Sequence, residues 1–369
     1  MTDVKAFIKR NLMVLIALAA ALISCALVPM TDYIQYVDTD VIGILFCLML
    51  VTAGFKQNNM LAKAMYFLIE KARIYGTRKA LVILSLITYF LSMFVTNDAA
   101  LIALVPIMVT FFEEYPAYLI YAVVVQTIAA NLGSMATPFG NPQNLLIFTE
   151  YGIAPGEFFS AMLPAAAVGL VIVFILAAFV PNKPLAVDDY EEIHIRNKSY
   201  AVLYGILFVL ALLVVFDVLD VLVVFASVCV VAVIIEPKLF YEIDYGLLLT
   251  FVFFFIFVGN IKNIPAVNGF AEKFVSGREF FAAVVTSQFI SNVPAAVMLN
   301  SFTDNWRALL LGVDVGGLGT PVASMASLIS FRIYSAAENS RSMRFLGVFM
   351  LANIAVLAVM YAFVSIFLI

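Results

Sequence analysis

Residues 131–148 read NLGSMATPFGNPQNLLIF, and residues 314–331 read DVGGLGTPVASMASLISF. The two stretches align without a gap, and each places glycine, proline and polar residues inside a very hydrophobic chain. Paired Gly/Pro-interrupted segments in corresponding positions of two halves are the best sequence indication of a binding site between membrane helices. Five aligned pairs are identical: Gly133/Gly316, Thr137/Thr320, Pro138/Pro321, Leu145/Leu328 and Phe148/Phe331.

The composition is that of a membrane protein. Of 369 residues, 64% are hydrophobic and 12% are charged, and the mean hydropathy is +1.08. Apolar runs at 12–29, 158–180, 200–216 and 345–369 are long enough to cross roughly 30 Å of hydrocarbon. The sequence therefore predicts an all-α polytopic protein of the cell membrane, in contact with the lipid bilayer and not with nucleic acid. The three cysteines stand alone in apolar runs, without the spacing of a metal site.

A polar stretch at 181–199 divides the chain into two halves with the same order of segments. Each half contains an apolar span, a surface helix (56–73 or 262–275), a segment with a polar centre, a broken helix and a closing span. This order predicts two repeats, with about nine spans and two hairpins in total. The predicted divisions are a first transmembrane helix and outer loop at 1–37, repeat 1 at 38–180, a cytoplasmic linker at 181–199, connecting scaffold helices at 200–237 and repeat 2 at 238–369.

The segments with a polar centre decide the topology. Residues 79–112 would form a straight helix about 50 Å long, which is too long for one crossing. We therefore expect two short helices that meet at Thr96 and Asn97 as a re-entrant hairpin. Residues 279–303 could cross once on length alone, but Asn292 as an N-cap followed by proline favours a helix restart there. Such backbone at membrane depth is tolerated where protein buries it or a wet cavity faces it.

The distribution of basic residues predicts the orientation. With both segments as hairpins, Lys262, Lys273, Arg278 and Arg307 fall outside, and the other sixteen of the twenty basic residues fall inside. With both as full spans the division becomes fifteen to five, so the rule favours a cytoplasmic N-terminus and barely separates the two arrangements. Hairpins make the repeats inverted, which places the C-terminus outside and gives a pseudo-symmetric site open to either side in turn. Full spans make the repeats parallel.

Each hairpin tip begins a helix in mid-membrane, and we expect its first N–H groups to be unpaired at the positive end of the helix dipole. Two such ends facing one another would bind an anion without a basic side chain. Free backbone carbonyls beside Asn, Ser and Thr oxygens suit a hard cation such as Na⁺. The predicted substrate-binding residues are Asn97, Asp98, Thr137, Asn141, Asn144, Asn292, Val293, Thr320 and Ser324. The predicted coupling-ion residues are Thr96, Asn97, Asp98, Gly133, Ser134, Ser291, Asn292, Gly317 and Gly319.

Several of these residues have a structural explanation beside the functional one. Asn97 and Asn292 cap their helices in the simpler interpretation, and they also contact ion or substrate in the functional one. Asp98 is a carboxylate near the bilayer centre, which is costly and indicates function, although a charge that complements the dipole would also explain it. An ionised Asp98 repels an anion, so a cation or proton should bind first. Asp314 replaces Asn131 in the second copy, is the weaker candidate and is expected nearer the outer surface.

These motifs resemble the ion transporter superfamily, which includes divalent anion/sodium symporters, citrate transporter-like permeases and arsenite efflux proteins. The tips TND at 96–98 and SNVP at 291–294 resemble the paired Ser-Asn-Thr hairpin motifs of that superfamily. The sequence GSMATPFGNPQN at 133–144 resembles its broken-helix motif. The resemblance implies inverted repeats, a homodimer with a static scaffold and an elevator-like transport domain.

The resemblance also implies two Na⁺ sites, one from Asn97 with the backbone of 133–137 and one from Asn292 with the backbone of 316–320. The chain departs from the dicarboxylate symporters at the third tip position, where an aspartate and a valine replace Thr. This departure favours a proton-coupled or metalloid-type member over a di- or tricarboxylate carrier.

The predicted function is secondary active transport of small anions, either carboxylate or inorganic oxyanion, coupled to Na⁺ or H⁺ and without another cofactor. Efflux of arsenite or antimonite is the alternative, because a neutral hydroxide tolerates Asp98 better. A membrane-embedded enzyme and a passive channel are alternatives of a different class. We expect no enzyme, since the apolar segments contain no His/Cys/Glu metal set, Ser/His pair or phosphate loop.

Overall fold

A computed structural model of the chain describes residues 12–29, 33–73, 76–185, 193–337 and 340–369. Throughout those residues the regular secondary structure is helical, which confirms the all-α fold. Predictions for the segment before residue 12 and for residues 186–192 of the linker lie outside the described residues.

The helices follow the chain in two series. The first series is α1 (Leu12–Leu27), α2 (Thr39–Gln57), α3 (Met60–Arg73), α4 (Gly76–Val95), α5 (Asn97–Phe112), α6 (Pro116–Ser134), α7 (Pro142–Glu150) and α8 (Pro155–Ala178). The second series is α9 (Lys198–Val215), α10 (Val221–Ile235), α11 (Tyr245–Lys262), α12 (Pro265–Val275), α13 (Glu279–Ile290), α14 (Asn292–Leu299), α15 (Trp306–Gly316), α16 (Met325–Ser335) and α17 (Ser342–Phe367).

Many of these helices have the length and composition of membrane spans. Among the described residues, seven are long and apolar enough to cross a bilayer, namely α2, α4, α6, α8, α9, α11 and α17. The helices α1, α5, α10 and α13 are apolar but shorter. The chain is therefore a polytopic membrane protein. The total of nine spans, the inversion of the halves and the re-entry of the hairpins stay predictions.

The polar breaks in the two halves have the same backbone geometry. Thr96, between α4 and α5, has φ 75° and ψ 151°, and Ser291, between α13 and α14, has φ 75° and ψ 154°. This region of conformational space is nearly confined to glycine and costs about 1–3 kcal/mol for each residue held there. The chain thus forms the same strained turn twice, and the packing around both tips must stabilise it.

The residues at these breaks are shifted by one position from the prediction. The N-caps are Thr96 and Ser291, and Asn292 is the first residue of α14. The prediction of Asn292 as an N-cap is therefore wrong. The physical reason is that the positive-φ residue that interrupts the helix is the hydroxyl residue, so the asparagine already lies in the first helical turn.

The two surface helices also start later than predicted. The helix α2 continues past Lys56, and α3 begins at Met60, because Asn59 with φ 58° interrupts the helix. The helix α11 likewise includes Lys262, and α12 begins at Pro265. The predicted starts at 56 and 262 are therefore wrong by three or four residues.

The helices pack as two groups. In the scaffold group, α1 packs on α11, and α9 and α10 pack on α2. The core group contains α4 to α8 and α13 to α17, and each hairpin in it packs on the broken helix of its own half. The second part of each broken helix instead packs on the hairpin of the other half, α7 on α14 and α16 on α5. The two halves are therefore interlocked at the centre of the core group.

Candidate functional site

A cavity of about 300 Å³ lies between the scaffold group and the core group. The core side is formed by residues 96–99 at the first tip, with Asn141 and Pro142 of the first break. The scaffold side is formed by α2 and by the residues that lead into α11. The volume is at the lower end of the range for small-molecule sites. Of the predicted site residues, Thr96, Asn97, Asp98 and Asn141 line this cavity.

Acidic side chains dominate the charge of the cavity. Asp98, Glu242 and Asp244 line it, and Lys56 is the basic residue among those that form its wall. Lys56 Nζ lies 2.7 Å from Glu242 Oε2. Asp244 accepts a hydrogen bond from Leu247 N at 3.0 Å and so caps α11. This pairing leaves Asp98 and Asp244 without a basic partner on the wall, so the cavity repels an anion that no cation accompanies.

The first three N–H groups of α5 all have partners. Asn97 N donates to Gly140 O at 3.1 Å. Asp98 N donates to Asn97 Oδ1 at 2.9 Å. Ala99 N donates to Thr96 Oγ1 at 3.4 Å. The expectation of unpaired N–H groups at this tip is therefore wrong, because a carbonyl of the broken segment and two oxygens of the tip itself accept from them.

The second tip repeats this arrangement and is sealed. Asn292 N donates to Ala323 O at 2.9 Å, and Val293 N donates to Asn292 Oδ1 at 3.0 Å. Ser291 Oγ also donates to Ala323 O, at 3.4 Å. Ser291, Asn292 and Val293 are buried and do not line the 300 Å³ cavity. The structure therefore brings the first tip, and not the second, to this cavity.

Thr137 and Thr320 hold the broken segments against the hairpins. Thr137 Oγ1 donates to Met93 O at 2.6 Å, and Thr320 Oγ1 donates to Gln288 O at 3.0 Å. Each accepting carbonyl belongs to the residue three positions before the strained tip residue. Neither threonine lines the cavity, so both hydroxyls act here as ties between a break and a hairpin.

Side-chain amide groups donate hydrogen bonds to the backbone carbonyls of the two breaks. Asn144 Nδ2 donates to three carbonyls of the first break, at 3.0 to 3.5 Å. Gln288 Nε2 donates to Gly316 O at 2.8 Å and to Leu318 O at 2.9 Å. Gln288 was not predicted as a site residue, because Met93 stands at the equivalent position in the first half. Its place one turn before the second tip, inside an apolar run, is the signal that could have identified it.

Glycine allows close approach at the breaks. A Cβ atom on Gly133 would overlap the carbonyl of Tyr89, and one on Gly317 would lie 2.8 Å from Asn292 Nδ2. Gly319 has φ 104°, a conformation that side chains disfavour. These three predicted coupling-ion residues therefore let the breaks lie directly against the hairpins.

Side chains of the two breaks also contact one another across the centre. Ser324 Oγ donates to Asn131 Oδ1 at 3.1 Å, and Asn97 Nδ2 donates to the same oxygen at 3.2 Å. Asn141 Nδ2 donates to Asp314 Oδ1 at 3.0 Å. Asn141 aligns with Ser324, and Asn131 aligns with Asp314, so the same contact occurs twice with the halves exchanged.

Asp314 lies at the centre of the protein, and the prediction of a position near the outer surface is wrong. It is 4% exposed, and its Oδ1 atom also accepts from Gln143 Nε2 at 2.9 Å. The helix α15 begins after a surface loop and runs inward, so Asp314, near its end, is buried. Asn141 Nδ2, which reaches Asp314, also lies 3.3 Å from Ser134 Oγ. The alignment of Asp314 with Asn131 was the signal that could have placed it.

Helices of spanning length, two strained polar breaks and a cavity between two helix groups define this protein as a multi-pass membrane transporter. The citrate transporter family matches residues 5–305, and the chain belongs to that family. This finding confirms the resemblance to the ion transporter superfamily.

Individual relatives agree with this class. An uncharacterized transporter of Methanocaldococcus jannaschii is 32% identical over 298 residues, which cover 79% of this chain and 80% of that protein. The inner membrane protein YbiR of Escherichia coli is 29% identical over 310 residues, which cover 80% of each chain. A transporter of Dictyostelium discoideum named arsB is 28% identical over 149 residues, which cover 40% of this chain and 26% of that protein.

Proposed function

We propose that the protein is a secondary active transporter of small anions, coupled to Na⁺ or H⁺. Membership of the citrate transporter family supports a small carboxylate or inorganic oxyanion as substrate. The observation that carries the proposal is the cavity at the first tip, where Asn97 and Asp98 begin a helix against the scaffold group. The positive end of the α5 dipole at this point favours negative charge nearby.

The acidic wall of the cavity makes a cation necessary. An anion entering beside Asp98 and Asp244 meets like charge in a region of low dielectric, where repulsion is strong. A cation or proton that neutralises Asp98 lowers this repulsion, because Asp244 is then the one unpaired carboxylate among the described residues of the wall. Binding of the cation before the anion therefore couples anion movement to the cation gradient.

The coupling cation is assigned to the two tips. At the first tip the ligands are Thr96, Asn97 and Asp98, with the backbone of Gly133 and Ser134. At the second tip they are Ser291 and Asn292, with the backbone of Gly317 and Gly319. A Na⁺ ion at the Ser134 carbonyl would replace a contact from Asn144 Nδ2, which donates to that oxygen at 3.5 Å. At the second break, Gln288 Nε2 occupies the neighbouring carbonyls of Gly316 and Leu318.

Transport by an elevator-type movement fits the division into two helix groups. The cavity lies between the scaffold group and the core group, and the surface helices α3 and α12 connect the two groups in the chain. We propose that the core group moves across the membrane against a scaffold that dimerises in the cell membrane. The N-terminus is placed in the cytoplasm in this proposal and the C-terminus outside.

Efflux of arsenite or antimonite is the second candidate function. The observation that favours it is the charge of the cavity, because a neutral hydroxide enters beside Asp98 and Asp244 without electrostatic repulsion. In this case the substrate needs no neutralising cation to bind.

Counterflow in proteoliposomes tests the proposal. Vesicles loaded with unlabelled citrate are diluted into a trace of labelled citrate, with and without Na⁺ and at several pH values. A carrier produces transient accumulation of label, which a passive channel does not. Phosphate and arsenite serve as further probes, and protein-free vesicles are the control. Absence of counterflow for citrate, phosphate and arsenite under all of these conditions would refute the proposed function.

A further inference from the structure

We propose that Asp314 binds a coupling cation, H⁺ or Na⁺, at a second site located where the two halves meet. This inference rests on the proposed function, since a coupling cation is meaningful only in a gradient-driven carrier. Asp314 belongs to neither tip, and it is not among the residues that line the 300 Å³ cavity.

The carboxylate of Asp314 is buried and half satisfied. Its Oδ1 atom accepts from Asn141 Nδ2 at 3.0 Å and from Gln143 Nε2 at 2.9 Å. Its Oδ2 atom is buried and has no hydrogen-bond partner among the described residues. A buried carboxylate charge is costly unless a positive group accompanies it. The unpartnered oxygen is therefore the place at which a proton or a metal cation would bind.

Two further buried oxygens lie in the first turn of α7, the helix whose Gln143 contacts Asp314. Gln143 Oε1 and Asn144 Oδ1 have no hydrogen-bond partner within the described ranges. The orientation of Asn141 is fixed, because its Oδ1 atom accepts from Asn144 N at 2.9 Å and caps α7. The orientation of Asn144 is fixed by the carbonyls to which its Nδ2 atom donates. The start of α7, which contacts Asp314 through Asn141 and Gln143, thus carries unpartnered oxygens of the kind that bind a hard cation.

No charged side chain of the described residues opposes this assignment. The helices packed against α15 are α6, α7, α8, α13, α14 and α17. The charged residues of these helices lie near helix ends: Glu150, Glu157, Glu279 and Arg344. Of their tyrosines, Tyr118 lies near the start of α6, Tyr121 donates to Leu176 O of α8, and Tyr361 packs on Phe280 of α13. Within the described part of the chain, amide side chains supply the contacts to the Asp314 carboxylate.

The first half shows that the central contact does not need a charge. Asn131 occupies the position of Asp314 there, and its Oδ1 atom accepts from Asn97 and Ser324. An asparagine at 314 would accept from Asn141 and Gln143 in the same way. The carboxylate of the second half therefore adds a charge beyond what the structural contact requires.

Asn141 links this site to the cavity. It lines the cavity and donates to Asp314. A cation on Asp314 weakens the charge-assisted hydrogen bond from Asn141 and thereby changes the group that the cavity presents to a substrate. Binding of cation and substrate are then coupled, and the coupling is reciprocal.

The test measures cation-dependent thermal stability of the purified full chain in detergent. Asp98→Asn, which removes the carboxylate that the first tip presents to the cavity, is compared with the double variant Asp98→Asn/Asp314→Asn. Sodium and choline chloride are compared at one pH for the sodium arm, and a pH series in choline forms the proton arm. We expect Na⁺ or falling pH to raise the Tm of Asp98→Asn. We expect a clearly smaller rise in the double variant, in which only the tip ligands without a carboxylate remain.

The signature of the site is a crossing of the two stability curves. Without the cation, at high pH, the double variant should be the more stable protein, because a buried uncompensated charge has been removed. If the role of Asp314 is purely structural, the double variant should be less stable than Asp98→Asn under all conditions. The matched control is Asp98→Asn/Asp304→Asn, which removes an exposed carboxylate from the loop before α15 and should behave as Asp98→Asn alone.

The outcomes separate this inference from the proposed function. Equal cation responses in the single and double variants, or no response of Asp98→Asn in either arm, would overturn the inference even if wild-type counterflow is present. Absence of counterflow with the crossing preserved would overturn the proposed function, and with it the coupling role, and would leave Asp314 as a cation-binding residue. If Asp314→Asn does not fold, Asp314→Glu should fold and shift the midpoint of the cation response, and an unchanged midpoint would overturn the inference.

Discussion

Ser324 Oγ donates to Asn131 Oδ1 at 3.1 Å, although the two residues are 193 positions apart in the chain. The aligned pair with the halves exchanged, Asn141 and Asp314, makes the corresponding contact at 3.0 Å. Contacts that recur with exchanged partners are the mark of a two-fold relation between two similar units. This relation at the centre supports a repeat architecture, and inversion across the membrane is one of the two ways to orient its axis.

Removal of this contact should weaken the junction modestly. Ser324→Ala leaves Asn131 Oδ1 with the donor from Asn97, so one buried hydrogen bond is lost. We expect the free energy of unfolding to fall by about 1 kcal/mol. Denaturant unfolding of the purified protein measures the change. Ser160→Ala is the control, because its exposed hydroxyl donates within α8, and equal effects of the two variants would contradict the prediction.

The orientation of the halves can be tested by labelling. In a chain with Cys25, Cys47 and Cys229 replaced by alanine, single cysteines are introduced at the exposed positions Ser199 and Asp304. The inverted arrangement predicts that Ser199→Cys reacts with an impermeant maleimide from the cytoplasmic side and Asp304→Cys from the outside. Reaction of both from the outside would mean that the first hairpin is a full span and the halves are parallel.

The positions of the breaks could be predicted from the sequence, because a helix interruption inside an apolar segment requires particular residue types. Glycine, proline and asparagine interrupt apolar helices in few other contexts, so the positions of both tips and both broken segments followed from the local pattern. Repetition of the pattern then gave the order of elements in each half. The family followed from the same motifs.

The hydrogen-bond partners at the site were not readable in this way. Whether a tip N–H is free depends on which carbonyl packs against it, and Gly140 and Ala323 come from segments distant in the chain. Gln288 satisfies the second break, whereas Asn144 satisfies the first from another element. Because the two halves pair their released carbonyls with different residues on different elements, the internal repeat does not reveal these residues. The burial of Asp314 likewise depends on the direction of α15, which no local pattern specifies.

Close approach of α6 to α4 requires glycine at 133. Gly133→Ala places a Cβ atom in the carbonyl of Tyr89 and beside Ser92 Oγ, at 2.5 Å. Backbone shifts of this kind cost about 1–3 kcal/mol, so the variant should unfold at lower temperature and express poorly. Gly205→Ala in α9 has no atom within 4 Å of the new Cβ and should be neutral or stabilising, since alanine is the better helix former. Thermal unfolding of both variants tests this prediction. A similar fall in unfolding temperature for the two variants would refute the packing argument.

Gln288 should be essential for the second break. Gln288→Met gives the second hairpin the residue found at the equivalent place in the first and removes both donors to Gly316 O and Leu318 O, as well as the acceptor for Thr320 N. Each buried backbone group left unpaired costs about 1–3 kcal/mol. We expect a loss of at least about 2 kcal/mol in unfolding free energy. Gln57→Met at the end of α2 is the matched control, and a loss no greater than that of the control would show that the carbonyls find other partners.

The charge of Asp98 should control how strongly transport depends on a cation. A like charge about 6 Å from an anion, in a medium of effective dielectric constant about 20, costs about 3 kcal/mol. Removing it corresponds to a change in affinity on the order of 100-fold. In Asp98→Asn we therefore expect the apparent KM for citrate at low Na⁺ and high pH to fall towards its value at saturating cation, with a flattened dependence on Na⁺ or pH.

Initial rates of citrate uptake in proteoliposomes, measured across a grid of Na⁺ concentration and pH, check this prediction. Asp304→Asn removes the same charge from an exposed loop and should retain the cation dependence of the wild type. A pH-only change in Asp98→Asn would identify H⁺ as the ion that neutralises the cavity, whereas a Na⁺-only change would identify Na⁺. If uptake by Asp98→Asn depends on Na⁺ and on pH as uptake by the wild type does, Asp98 has no part in coupling. The charge of Asp98 would then not oppose binding of the anion.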